Sequence, residues 1–461
     1  MFRSIANTFS NCFKIPELKS RIIFTVVVLA ICRLTAYIHI PGLDATALNQ
    51  AFDDAQRNGG GGPLGLLSAF SGGAIQNCAI GALTIIPYIS ATIIIQLLTA
   101  VVPQLSKMAR EEGGRAKIIQ YGRYLTVLLC LGQGLLTAIG YEHPESVLQI
   151  KLANPLVLYP EHWIWWYRIQ TMFVLTTGTM LLMWLGEQIT DRGIGNGVSL
   201  IITINILSRL PQAVLGVRDM FAGAGPETRG NIGHAIALLL LLAGVIAGII
   251  AVTQAERKIP VTYAQRAVGR KVYAGGTNYM PLRVNYAGVM PVIFAQSILM
   301  FPQKAALFMG KSFNIKFFID IANYLNEGGF LYIFLYSLLI LFFSYFWVAT
   351  QFNELQIADD LKKNGGYIPG VRPGQATSDY LHNTMSRITL AGAIFLVIIS
   401  VIPIILGRIM HVPWTVSQFF GGTSMLIAVG VMLDTMRQME SHLLMRHYDG
   451  FLKKGRVKGR F

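Results

Sequence analysis

Apolar stretches of about 17 to 23 residues recur along the chain, separated by polar connections, and each is long enough at 1.5 Å per residue to cross most of a ~30 Å hydrocarbon layer. They run over Ile22–Ile40, Ile118–Gly140, Ile169–Gly186, Val198–Val217, Ile232–Val252, Tyr286–Pro302, Phe330–Thr350, Ile388–Leu406 and Val416–Met436. A further run, Ala74–Val102, reads as a tilted, slightly kinked spanning helix and brings the predicted spans to ten. Ahead of it lies PLGLLSAFSGG, weakly apolar, rich in Gly and Ser, and tethered by Gly59 to Gly62. That piece is too short to span, which predicts a movable re-entrant segment. Irregular backbone at membrane depth must be buried in protein or line a watery cavity, so the segment implies an aqueous path.

Composition agrees with this reading: 53% of residues are hydrophobic and 13% charged, against roughly 25% charge in an ordinary soluble domain. The four cysteines, Cys12, Cys32, Cys78 and Cys130, have no paired or metal-like spacing and sit mostly in or near apolar segments, so they read as packing residues. The net charge of +15 matters through its placement. With the N-terminus inside, about 27 Lys and Arg fall in inner segments and about 10 in outer ones, which predicts N-in, C-in topology. Ile22–Ile40 carries Arg33 and ends in IHIPG without a small-residue cleavage site, so it reads as a retained span. The spans divide into halves at residues 1–217 and 218–461. Five spans per half is an odd number, so any structural repeat between the halves is inverted.

No enzyme signature is present: H-E-x-x-H, G-x-S-x-G and the P-loop are missing, the eight His are scattered, and neither catalysis nor a cofactor or metal is expected. Two long inner loops stand out. Gln254 to Arg283 reads as a basic, partly extended hairpin carrying Arg266, Arg270 and Lys271. In Gln351 to Arg387 an amphipathic helix to Lys363 stops at Gly365 and Gly366, after which Pro369 and Pro373 frame Arg372 on a stiff tip. Ile85 and Ile89 are four apart, hence on one helix face. Branched apolar side chains in a ring can close around a passing chain and repel small ions by dewetting.

FSGGAIQNCAIGALTIIPYISATIIIQLLTAVVPQLSKM, together with KIPELKSRIIFT, ITDRGIGNG, YAQRAVGRKVY, IPGVRPGQAT and FFGGTSMLI, closely resembles the SecY family of protein-translocase channels, and the resemblance covers nearly the whole chain. It implies an all-α polytopic membrane protein with ten transmembrane helices in two inverted five-helix halves around a central pore, closed by a short re-entrant plug. The implied plug is Leu64, Gly65, Leu66, Leu67, Ser68, Ala69, Phe70, Ser71, Gly72 and Gly73. The implied pore ring is Ile85, Ile89, Val198, Ile202, Ile293 and Ile427; the implied lateral gate is Ser90, Gln96, Asn285 and Phe301. Arg266, Arg270, Lys271 and Arg372 are the implied docking residues for a motor or the ribosome. Expected partners are SecE-like and SecG-like membrane subunits, the SecA ATPase, the ribosome, lipid, and unfolded polypeptides with signal sequences; the expected site is the bacterial inner membrane. Departures from the family pattern are Val198 in place of a larger isoleucine, unusually polar Asn205 and Gln296, and Gln265 in place of a basic residue. The rival expectation is a ten-span secondary transporter of a small solute, whose mark would be charged groups at mid-membrane.

Overall fold

The computed structural model of the chain describes residues 15–50, 71–111, 113–144, 155–222, 232–263, 266–268, 271–273, 276–312, 315–325, 329–409 and 423–454. Its helices are α1 (Pro16–Leu34), α2 (Ile86–Val101), α3 (Pro103–Arg110), α4 (Gly114–Glu142), α5 (Ile164–Arg192), α6 (Gly197–Leu207), α7 (Leu210–Ala222) and α8 (Ile232–Gln254). They continue with α9 (Met290–Ser312), α10 (Lys316–Tyr324), α11 (Phe330–Gln351), α12 (Glu354–Lys363), α13 (Gln375–Ile409) and α14 (Thr423–Lys454). Each of the ten predicted spans contains helix.

By length and apolarity alone, five helical stretches among the described residues are able to span: Gly114–Glu142, Ile164–Arg192, Gly197–Leu215 (α6 into α7), Phe330–Lys363 (α11 and α12) and Gln375–Ile405. A sixth is the pair Ile86–Val101 and Pro103–Ala109, bent by 104°, while Leu239–Gln254 and Met290–Leu299 are shorter apolar helices. Helix α1 carries Glu17, Lys19, Arg21 and Arg33, too many charges for its 19 residues to pass, and α9 continues through Pro302. Large apolar side chains stay exposed on outer faces, among them Val26, Leu128, Leu239, Leu240 and Phe330, as suits surfaces that meet lipid. Trp163, Trp165 and Trp166 are also exposed and form an aromatic belt of the interfacial kind. Arg168 lies over Trp165, 5.0 Å from its ring, and pairs bidentately with Glu142.

Ala74–Val102 is not one helix. Regular helix begins only at Ile86, and residues 71–85 form successive turns with positive φ at Cys78 and Thr84. Apart from Gln76 and Asn77, residues 74–85 are mostly apolar, so hydropathy marks no sharp boundary with the helix after them. What holds the turns is pairing to the chain after α1: Ile40 N to Cys78 O at 2.8 Å, Ile80 N to Ile38 O at 2.9 Å and Gly81 N to Thr35 O at 3.1 Å. Asn77 adds a side-chain bond to Ala36 O. This irregular backbone is therefore satisfied by protein, as membrane depth demands. At the other end Pro103 removes a donor and breaks the helix.

On one face of the bundle five strands, β1 (Glu256–Tyr263), β2 (Arg266–Val268), β3 (Lys271–Tyr273), β4 (Thr277–Arg283) and β5 (Gly366–Tyr367), form two small antiparallel sheets. Strand β1 lies between β4 and β5. The two basic loops, separate in sequence, are thus one structure. Ile259, Val261, Leu282, Val348, Phe352, Ile368 and Leu381 seal it to the ends of α11 and α13.

Candidate channel constriction and its gate

The largest apolar core draws residues from α1, α2, α5, α6, α8, α9, α11, α13 and α14 to a common centre. Each element reaches that centre by local chemistry. Ile85 stands just before α2, and its carbonyl accepts from Ile89 N at 3.1 Å, which stacks the two side chains on one face. Helix α6 starts after GIGNG: Gly195 adopts φ 89°, a left-handed conformation natural to glycine, and Asn196 caps the helix by accepting from Ser199 N at 3.2 Å. Gly195 N also donates to Gln438 Oε1 of α14 at 2.8 Å, tying this turn to that helix. Helix α9 is entered through a turn in which the Asn285 amide donates to Gly288 O at 2.9 Å. Gly430 of α14 sits against Val289, where a Cβ would collide with the valine side chain.

The result brings Ile85, Ile89, Ile202, Ile293 and Ile427 into the one buried cluster, with Val198 half-buried against it. Ile85, Ile89, Ile202 and Ile293 surround a cavity of only about 10 Å³, shared with Thr84, Ile86, Asn205, Gln296 and Ser297. That is about the least space one water requires. The described side chains thus leave little free space between them, with a polar edge: Gln296 is 3% exposed and its Oε1 has no hydrogen-bond partner among the described residues, and the buried Ser90 hydroxyl likewise has none.

Directly beside this edge lies the end of the glycine-rich segment. Arg33 of α1 donates from Nη1 to Asn205 Oδ1 and from Nη2 to Gly72 O, both at 3.2 Å. Arg209, between α6 and α7, donates to Gln76 Oε1 at 2.9 Å. Gly72 has φ 57°, and a Cβ there would run into the Arg33 guanidinium.

The SecY family model matches residues 79–436. Relatives include the protein translocase subunit SecY of Chlamydia trachomatis, 44% identical over 98% of this chain and 99% of the relative, and that of Thermotoga maritima, 40% identical over the same shares. The chain belongs to the SecY family. Among solved structures, one described as a protein conducting channel superposes with a TM-score of 0.57 at 18% identity, covering 95% of this chain and 94% of that one. Sec61 in a canine ribosome-channel complex gives the same TM-score at 17% identity over the same shares. The chain is an all-α polytopic membrane protein, its small sheets confined to the loops.

Helices α2 and α9 meet, and the shared cavity shows where: Ile86 and Ile89 of α2, with Ile85 just before it, against Ile293, Gln296 and Ser297 of α9. Ser90 is buried and Gln96 half-buried on α2. Asn285 is buried but uses its amide within its own turn. Phe301 lies on α9, its side chain outside the described set. Of the expected plug, Ser71, Gly72 and Gly73 are buried, and Leu64 to Phe70 lie outside the described residues. Arg266 and Lys271 sit on β2 and β3, where Val268 pairs with Lys271; Arg270 lies outside the described residues. Arg372 is exposed, and its carbonyl accepts from the Thr377 hydroxyl at 2.9 Å, which stiffens the tip beside β5. Sequence reasoning missed the Arg33–Asn205–Gly72 and Arg209–Gln76 contacts. The signal available was an arginine inside a span, which is costly unless partnered.

Proposed function

We propose that this chain is the protein-conducting channel of a bacterial Sec translocase, passing unfolded secretory polypeptides across the inner membrane and releasing apolar segments sideways between α2 and α9. The observation that carries the reading is the closed isoleucine centre, built from both halves of a SecY-family chain and flanked by irregular, protein-satisfied backbone. In this reading residues 1–217 and 218–461 are inverted halves, both termini are cytoplasmic, and SecE-like and SecG-like subunits brace the bundle. Ile85, Ile89, Val198, Ile202, Ile293 and Ile427 form the ring; Ser90, Gln96, Asn285 and Phe301 line the gate; residues 64–73 are the plug.

Energy comes from outside the chain, from SecA or the ribosome, through the united basic loops with Arg266, Arg270, Lys271 and Arg372. A guanidinium held on a stiff tip can pair bidentately with carboxylate or phosphate. Arg372→Glu should therefore abolish SecA-driven import of a precursor into inverted vesicles. Stability should hardly change, because an exposed loop side chain removes no packing. Lys453→Ala with Lys454→Ala should matter far less, since that tail offers only diffuse charge. Import by the Arg372→Glu channel at the wild-type rate would show that the loop is only a connection.

A further inference from the structure

We infer that α10 is an interfacial helix: its aromatic edge, Phe317 and Tyr324, seats in the boundary layer of the bilayer among glycerol and acyl groups, with no preference for anionic headgroups. This seat needs only a membrane-spanning fold and goes beyond the channel reading. Helix α10 joins α9 to α11 at the end of the bundle opposite the two sheets, because β4 leads into α9 and α11 ends against the sheet core at Val348 and Phe352. At about 100° per residue its side chains divide into three arcs. Ala322 and Leu325 are buried against the protein, with Phe318 and Ile319 half-buried beside them. Lys316, Asp320 and Asn323 form an exposed polar arc. Between the two lie Phe317 and Tyr324, each 67% exposed, with half-buried Ile321. A helix meeting only water on its outer side would be polar across the whole exposed surface. Here the apolar sector runs on past the buried face, which is the division of a helix lying at a lipid boundary.

The edge stands on a firm support. Gly310 of α9 is buried, and a Cβ there would come within 2.7 Å of Ile319 Cγ1 and 2.9 Å of Ile319 N, so α10 rests closely on the end of α9. Ile315 N also donates to Gly310 O at 3.0 Å.

What covers the edge follows from α11. Its 22 residues rise about 33 Å, close to the thickness of a hydrocarbon core, so its first turn reaches the boundary layer. Phe330, 87% exposed, begins an outward apolar stripe that continues through Leu331, Phe334, Leu338 and Phe342. Helix α10 touches α11, and Tyr324 closes α10 shortly before Phe330. The aromatic edge therefore extends the lipid-facing stripe at the level where an apolar ring with a polar tip is favoured. Anionic headgroups are recognised by clusters of roughly 4 to 8 basic residues. The exposed arc of α10 offers Lys316 and, against it, Asp320.

The test places the photoreactive residue p-benzoylphenylalanine at one position at a time in the complete translocase complex. Vesicles are made of phosphatidylcholine alone or of phosphatidylcholine with phosphatidylglycerol, and adducts are identified by mass spectrometry after irradiation. At Phe317 and Tyr324, both aromatic-for-aromatic changes on an exposed edge, lipid adducts should form in both vesicles at yields comparable to that at Leu338 in the stripe. At Asn323 the yield should be several-fold lower. Should one of the two aromatic positions fail to insert, the other carries the same expectation. Adducts to a protein subunit in place of lipid would mean that a partner covers the edge, and would overturn the inference. So would loss of adducts at 317 and 324 while Leu338 still labels, which places the edge in water. Labelling that needs phosphatidylglycerol would overturn the apolar seat in favour of a headgroup site. Lipid adducts in a complex that imports no precursor would support the seat and count against the channel reading alone.

Discussion

Ile427→Asn probes the proposed constriction at its most buried residue, since Ile427 has 0% of its surface exposed. In the closed state the substitution forfeits burial of an isoleucine, worth roughly 1.5 to 3 kcal/mol. It also encloses an amide among apolar neighbours, at a cost of about 1 to 3 kcal/mol where no partner is found. In the open state the ring faces water or a hydrated polypeptide, and neither cost applies. The closed state should lose about 3 to 5 kcal/mol relative to the open one, a change of roughly two to four decades in their ratio. The assay is import into vesicles of a precursor whose signal has a shortened apolar core. Wild type should reject it, because the weakened signal no longer supplies enough differential binding to open the ring. The variant should import it and should also conduct ions at rest. Rejection by a correctly inserted Ile427→Asn channel, with wild-type resting conductance, would refute the ring.

The seam makes opposite-signed and geometric predictions. Gln296→Leu replaces a buried, unpartnered amide oxygen by an apolar side chain of similar size, so it should favour closure by about 1 to 3 kcal/mol; measured as import of the same shortened signal, passage should fall below that of wild type, and a rise would contradict the assignment. Cysteines replacing Ile86 and Ser297, which line one cavity from α2 and α9, should crosslink in the idle channel and block release of apolar segments into lipid. Free release by the crosslinked channel would place the exit elsewhere.

The spans were legible because membrane insertion writes itself into the sequence as long apolar runs. Their internal breaks were not. Residues 71–85 are largely apolar apart from Ser71, Gln76, Asn77 and Thr84, and they are held off the helix by pairing to 35–40, a partner that hydropathy cannot see. The Arg372 tip was readable from its two prolines, whereas its union with the basic hairpin depends on β5 pairing with β1 across a separation of about 100 residues. Ile85 and Ile89 could be placed on one face by spacing alone; gathering Ile202, Ile293 and Ile427 beside them took the family resemblance. Asn205 and Gln296 were noticed only as polar oddities, and the fold gives them one location, the polar edge of the central cavity. Arg33 needed Asn205, 172 residues away, before its cost inside a span had an explanation.

The central claim is that a polypeptide passes through the point where these isoleucines meet. A precursor with one cysteine, stalled halfway into vesicles, should form a disulfide with a channel carrying Ile202→Cys or Ile427→Cys, and none with Leu239→Cys on the outer, 68% exposed face of α8. Bonding at residue 239 with none at 202 or 427 would mean that the chain travels by another route.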